Sequence, residues 1–221
     1  PALMSTLGFV VPIGPGERHG PALLQQLREL ASDCPVAIVY AAGDPQPHWP
    51  ANGLECCLQA PAGRAAQQNA GAAILDVDYL CFVHADSSLD AQALAALRRF
   101  VAASPRALGY FDLAFSDGPR LMALTACAVR WRCRWLGLPF GDQGLCLPRA
   151  EFLALGGFDE DVAVGEDHAL VWAARRAGLR AQPMGATLRS SARKYIQHGW
   201  WRTTWRHQCW TWAQVWREWR A

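Results

Sequence analysis

Residues 79–89 read YLCFVHADSSL. The opening five, Tyr79–Val83, are apolar and of the length of a strand buried on both faces. The run stops at His84-Ala85-Asp86, and Ser87, Ser88 and a helical stretch over 89–103 follow. A carboxylate carried to the carboxyl end of a buried strand lies where open α/β sheets bind their ligands. There it can hold Mg²⁺ or Mn²⁺, which take oxygen ligands and bridge the oxygens of a diphosphate. The alternative is that Asp86 caps the following helix, a role equally open to Ser87 or Ser88.

Working outward, Leu7–Ile13 (LGFVVPI) and Val36–Tyr40 read as two further buried strands, and 54–59 as a third, short one. Between the first two, Leu23, Leu24, Leu27 and Leu30 have helical spacing; 63–75 reads as another helix, and 41–53, rich in Pro, Gly and Asp, as a loop. Downstream the pattern predicts a strand over 108–115, helices over 120–136 and 166–177, and a strand over 144–147. Strand–helix alternation with apolar strands predicts a three-layer α/β/α fold around a mostly parallel sheet. Residues 1–197 are read as one domain, and 198–221 as an appended Trp/Arg-rich helix.

Composition agrees with a folded domain, since 52% of the 221 residues are hydrophobic and only 18% are charged. A net charge of +2 gives no reason to expect nucleic acid. The charge is uneven, however: from Arg189 onward seven Arg/Lys face Glu218 alone, so the tail carries +6 and the body −4. The eight cysteines form no C-x-x-C pair, and Cys56 and Cys57 are adjacent, which points to a reducing compartment rather than a disulfide framework. Cys81, Cys127 and Cys146 sit in apolar runs and are expected to be buried. No signal peptide and no membrane-spanning run is visible, so the expected location is cytoplasmic, with peripheral contact on the inner face of a membrane open to the basic tail.

Two further features carry chemistry. Gly165-Glu166-Asp167-His168 places two carboxylates at a helix start, where the macrodipole favours them and where one can serve as a general base. Gly63-Arg64 opens a helix that continues through Gln68, Asn69 and Gly71, and an Arg there can meet a phosphate. Each has a bland alternative, a favourable helix terminus or a surface Arg.

The ordered combination is more specific. APAGRAAQQNAGAA (60–73), YLCFVHADSSL (79–89), GYFDLAF (109–115), GDQG (141–144), FLALGGFDE (152–160), GEDHAL (165–170) and SARKYIQHGWWRT (191–203) follow one another over most of 60–203. In this the chain resembles the family 2 glycosyltransferases of GT-A fold, and within them the small subgroup found near radical-SAM/selenodomain proteins. The resemblance implies a nucleotide-diphospho-sugar donor, a divalent metal (Mg²⁺ or Mn²⁺) and an inverting transfer to an acceptor hydroxyl. It matches Asp86 to the last Asp of the D-x-D metal motif, with His84 in the first acidic position. It matches Asp167 to the general base with Glu166 beside it, and Arg64 and Asn69 to the helix beside the donor. Asp142 and Gln143 match the turn on the acceptor side. Arg193, Lys194 and His198 match a basic segment that closes over the diphosphate.

The departures lie at the N-terminus. Where the family carries Asn-Glu after its first strand, this chain offers Glu17; where it carries a base-reading Asp after the second, this chain has Ala41, leaving Asp44 to reach in from the loop or Tyr40 to stack on the base. A degenerate, ligand-binding GT-A domain and a nucleotidyltransferase are therefore the rival readings. Seven of eleven Trp fall between Trp200 and Trp219, and Trp201, Trp205, Trp212, Trp216 and Trp219 share one helical face beside Arg202, Arg206, Arg217 and Arg220. Such a helix packs on the domain, joins a second subunit in a homodimer, or lies on an anionic membrane, where an acceptor linked to lipid would be reached; single-stranded nucleic acid is the weakest reading.

Overall fold

The computed structural model describes residues 5–17, 20–44, 53–103, 105–162 and 165–206, with 209, 211 and 216. Eight strands form one sheet: β1 (Leu7–Ile13), β2 (Val36–Ala41), β3 (Glu55–Ala60), β4 (Tyr79–Phe82), β5 (Ser87–Ser88), β6 (Ala107–Phe115), β7 (Leu145–Pro148) and β8 (Arg180–Ser190). Their order is β3-β2-β1-β4-β7-β6-β8-β5. β1, β2, β3 and β4 run parallel, β7 enters antiparallel to both β4 and β6, β8 is parallel to β6, and the two-residue β5 is antiparallel to β8. The sheet is thus parallel in its first half and mixed in its second.

The parallel half follows directly from the sequence. All seven residues of β1, all six of β2 and all four of β4 are buried, the mark of strands covered on both faces. Alternate side chains meet different layers. Phe9, Val11, Ile38 and Cys81 pack under α1 (Gly20–Leu30) and α3 (Ala91–Ala102). Val10, Ala37, Leu80 and Phe82 face α2 (Arg64–Ile74), α4 (Met122–Leu136), α5 (Arg149–Ala154) and α6 (Glu166–Arg176). α2 approaches the sheet closely at Gly71, where an added Cβ would stand 2.6 Å from Val10 Cγ1 and 3.0 Å from Val39 Cγ2.

A short helix α7 (Arg193–His198) follows β8, and 200–206 are helical, as are positions 209, 211 and 216. Trp212, Trp219, Arg217 and Arg220 lie outside the described residues, so the common face expected of the tail extends here only through Trp201, Trp205 and Trp216, each exposed. Of the cysteines expected to be buried, Cys81 and Cys146 are, whereas Cys127 is exposed because α4 turns only a narrow stripe inward. No described helix is long and apolar enough to cross a membrane.

Candidate active site

In the order β3-β2-β1-β4 the direction of strand progression reverses between β1 and β4, the switch point beyond whose carboxyl ends open α/β sheets bind their ligands. The segments leaving β1, β2 and β4 deliver Glu17, Asp44 and His84–Asp86 to this edge. Gln67, buried on α2, ties it together, its Nε2 donating to the Ile13 and Val39 carbonyls at 2.8 Å each. Those carbonyls belong to neighbouring strands, so one amide holds the ends of β1 and β2 in register.

Asp86 does not cap the next helix. That role belongs to Asp90, whose Oδ1 accepts from Ala93 N at 2.8 Å. Asp86 precedes β5, and its carbonyl accepts from Ser191 N at 3.2 Å, which ties the end of β4 to the segment leaving β8.

Opposite lies a 3₁₀ turn, Gly141–Gln143. Gly141 N–H donates to Asp167 Oδ2, and His168 N–H to Asp167 Oδ1 at 2.9 Å. A Cβ on Gly141 would stand 2.9 Å from His84 Nε2 and 3.0 Å from Asp167 Oδ2. The turn therefore brings the His84 and Asp167 side chains against the same position of one glycine, which has no room for a substituent. Gly165, left-handed at φ 94°, starts α6 and sets Glu166 and Asp167 in its first turn, where the helix dipole stabilises their charge.

Asp142 is the most perturbed acid of the group. By residue surface it is partly exposed, yet its Oδ1 is sealed from solvent with no hydrogen-bond partner among the described residues, and the sealed oxygen governs its chemistry. Burial pushes its pKa up to about 6; Arg132 opposes the rise, while the charges of Asp167 and Asp86 add to it, with Arg64 opposing. The Asp142 carboxyl is thus acted on by two further carboxylates and two guanidinium groups. Arg132, from α4, stacks 3.5 Å from the Phe140 ring centroid and donates to the Leu138 carbonyl at 2.9 Å. Tyr195, buried on α7, has its phenol pushed up to about 12, mainly by burial and then by the charge of Asp142.

The remaining expected residues divide into those at the edge and those used in holding the fold. Arg64 Nη1 pairs with Glu166 Oε1 at 3.2 Å, joining the starts of α2 and α6. Arg193 Nη2 meets Glu17 Oε2 at 3.2 Å, so α7 straps across to the loop leaving β1. Asp44 is half-buried in the turn after β2, its N–H on the Ala41 carbonyl at 3.1 Å. His198 is exposed at the end of α7, and the Lys194 side chain lies outside the described residues. Asn69 is engaged with the 158–160 segment: its amide donates to the Phe158 carbonyl (2.9 Å) and Glu160 Oε1 (2.7 Å) and accepts from Phe158 N (2.9 Å). Gln143, fully buried, is likewise structural, donating to the Phe111 carbonyl at 2.9 Å and accepting from Phe140 N at 3.1 Å, so it shapes the turn from beneath rather than facing an acceptor. Tyr40 cannot stack on a base here, being 2% exposed within the core, and Ala41 is buried equally.

No set of three or more His, Cys, Asp or Glu side chains among the described residues could by itself hold a metal ion. A single strand-end carboxylate still suits Mg²⁺ or Mn²⁺, which keep waters and take their other ligands from a substrate's phosphates. Two surface clefts, of about 540 and 490 Å³, lie elsewhere: the first is lined in part by Asn69, Glu160 and Arg176, the second by Asp112, Arg130 and Arg134.

No family model matches the chain, and no curated protein matches it in sequence. Solved structures do match. TarS of S. aureus (residues 1–349) superposes with a TM-score of 0.62 at 13% identity, over 84% of this chain and 60% of that one. GalNAc-T7, solved with UDP, GalNAc and Mn²⁺, superposes with a TM-score of 0.64 at 10% identity, over 86% of this chain and 44% of that one. The chain therefore spans less than two thirds of the length of these neighbours. Both are GT-A glycosyltransferases, and the fold of this chain is the GT-A fold.

Proposed function

We propose that this protein is an inverting, family 2-like glycosyltransferase that moves a sugar from a nucleotide-diphosphate donor to an acceptor hydroxyl. The observation that carries the reading is the crowding of His84 and Asp167 against Gly141, with Asp86 two residues beyond His84 and the sealed oxygen of Asp142 next along the turn, at the carboxyl edge of a GT-A sheet. Asp86 is the residue that would hold Mg²⁺ or Mn²⁺, and a divalent ion there supplies charge neutralisation for the departing nucleoside diphosphate. Arg193, drawn to this edge by Glu17, adds a guanidinium suited to a phosphate.

Asp167 is the general base. Both its oxygens accept backbone N–H groups, which fixes the carboxylate while leaving each oxygen a second acceptor direction. It takes the proton of the acceptor hydroxyl as that oxygen bonds to the anomeric carbon and the bond from that carbon to the donor phosphate breaks. One such displacement inverts the configuration. The rival binding-only role draws on Ala41, buried at the position where the resemblance sets a base-reading Asp.

Incubation with a panel of UDP- and GDP-sugars and Mn²⁺, followed by NMR of the early product, tests the proposal. It predicts transfer or slow donor hydrolysis with an inverted anomeric centre. A retained centre contradicts the mechanism, and donor binding without any turnover supports the binding-only role.

A further inference from the structure

α4 is anchored by a narrow stripe. Met122 and Cys133 are buried, while Leu124, Trp131 and Trp135 are 60%, 59% and 75% exposed. At 100° per residue these three lie within about 40° of one another, on the side of the helix opposite Met122 and Cys133. Beside α4 runs the helical segment 200–206, fastened by a bond from Trp200 Nε1 to Thr125 Oγ1 at 2.9 Å and by packing of Trp200 with Met122 and Tyr195. This second helix buries Thr203 and leaves Trp201 and Trp205 77% and 74% exposed. Isolated exposed apolar residues are ordinary; four exposed Trp on two adjoining, well-anchored helices are not.

The charge around them is of one sign. Residues 119–141 and 191–206 together hold eight Arg and Lys and no carboxylate, so with a net charge of +2 the rest of the chain carries −6. Asp112 pairs with both Arg130 and Arg134, at 3.4 and 3.2 Å, and Glu17 with Arg193 at 3.2 Å, so two of the eight are offset.

We infer that α4 and the 200–206 helix form a platform that docks on an anionic lipid bilayer, the Trp rings entering the interfacial zone and the Arg side chains meeting phosphate headgroups. Trp is the side chain of membrane–water interfaces, and basic residues near an anionic surface add attraction to apolar insertion. Two copies of this face would bring like charges together. A nucleic acid offers bases for the rings to stack on but no hydrocarbon for the exposed Leu121, Leu124 and Ile196. The platform does not rest on the transferase reading, since lipid binding requires no donor.

Co-sedimentation of the full chain with vesicles decides the matter. With about one quarter phosphatidylglycerol in phosphatidylcholine, the protein is expected to partition onto the vesicles, and to do so weakly onto phosphatidylcholine alone. W131S/W135S is expected to reduce partitioning about tenfold or more with an unchanged melting temperature. L153S, which removes an exposed Leu of α5 away from the platform, is expected to bind like the wild type. If W131S/W135S does not fold, W201S/W205S carries the same expectation. Absence of binding to anionic vesicles, binding indifferent to both Trp pairs, loss of a concentration-dependent dimer in the Trp variants, or displacement from vesicles by a single-stranded oligonucleotide overturns the inference.

Discussion

The backbone N–H of Gly141 donates to Asp167 Oδ2, so a turn between α4 and β7 fixes a carboxylate on the first turn of α6. Because His84 Nε2 and Asp167 Oδ2 both crowd the position that a Cβ would take at 141, any side chain there must push at least one of the two away. Gly141→Ala is expected to lower kcat by roughly a hundredfold through displacement of the base, with a modest change in melting temperature. Wild-type turnover in this variant would remove the Gly141–Asp167 contact from the mechanism.

Asp167→Asn keeps the shape of the carboxylate and removes its basicity. Single-turnover rates are expected to fall about 10²- to 10⁴-fold while donor affinity measured by calorimetry stays within about twofold. A matching loss of donor affinity would place Asp167 on the donor rather than the acceptor.

Asp142 titrates upward in the folded protein, to about 6 from an ordinary 3.8. Between those values the native state holds a proton that the unfolded chain releases, so stability falls as pH rises through this window. In chelator-treated protein, Asp142→Asn is therefore expected to be more stable than the wild type above pH 6, by about 1–3 kcal/mol, and to lose the advantage near pH 4. Denaturant titrations at the two pH values check this; an advantage independent of pH would assign it to packing instead.

Gln67 donates to the Ile13 and Val39 carbonyls from a buried position. Gln67→Leu leaves both without that donor, and a loss of about 1–3 kcal/mol in urea unfolding is expected, together with weaker donor binding because the ends of β1 and β2 loosen. An unchanged midpoint would mean that water replaces the amide fully.

The Arg193–Glu17 pair joins α7 to the loop after β1. A double-mutant cycle with Arg193→Ala and Glu17→Gln, read on donor affinity, is expected to show coupling of about 0.5 kcal/mol or more. Strict additivity would separate the strap from the donor site.

The parallel strands β1, β2 and β4 were legible in the sequence to within a residue, because burial on both faces leaves uninterrupted apolar runs. β8 was not: Pro183, Gly185 and Arg189 interrupt its pattern, and only pairing with β6 makes it a strand. Asp86 and Asp167 stood out because strand ends and helix starts are visible in a sequence. Asn69 and Gln143 were indistinguishable there from ligand-binding amides, since an amide that closes a loop and one that meets a substrate leave the same letter. Arg132 gave no signal at all, lying in a helix rich in Arg, and its link to Asp142 exists only once α4 packs beside the 141–143 turn.

Calorimetric titration of UDP and GDP, with and without Mn²⁺, on the wild type and Asp86→Ala tests the central claim most directly. The account predicts Mn²⁺-dependent binding of at least one nucleotide that is lost in Asp86→Ala. Binding that is indifferent to the metal or survives in Asp86→Ala would contradict the placement of the donor diphosphate at the end of β4.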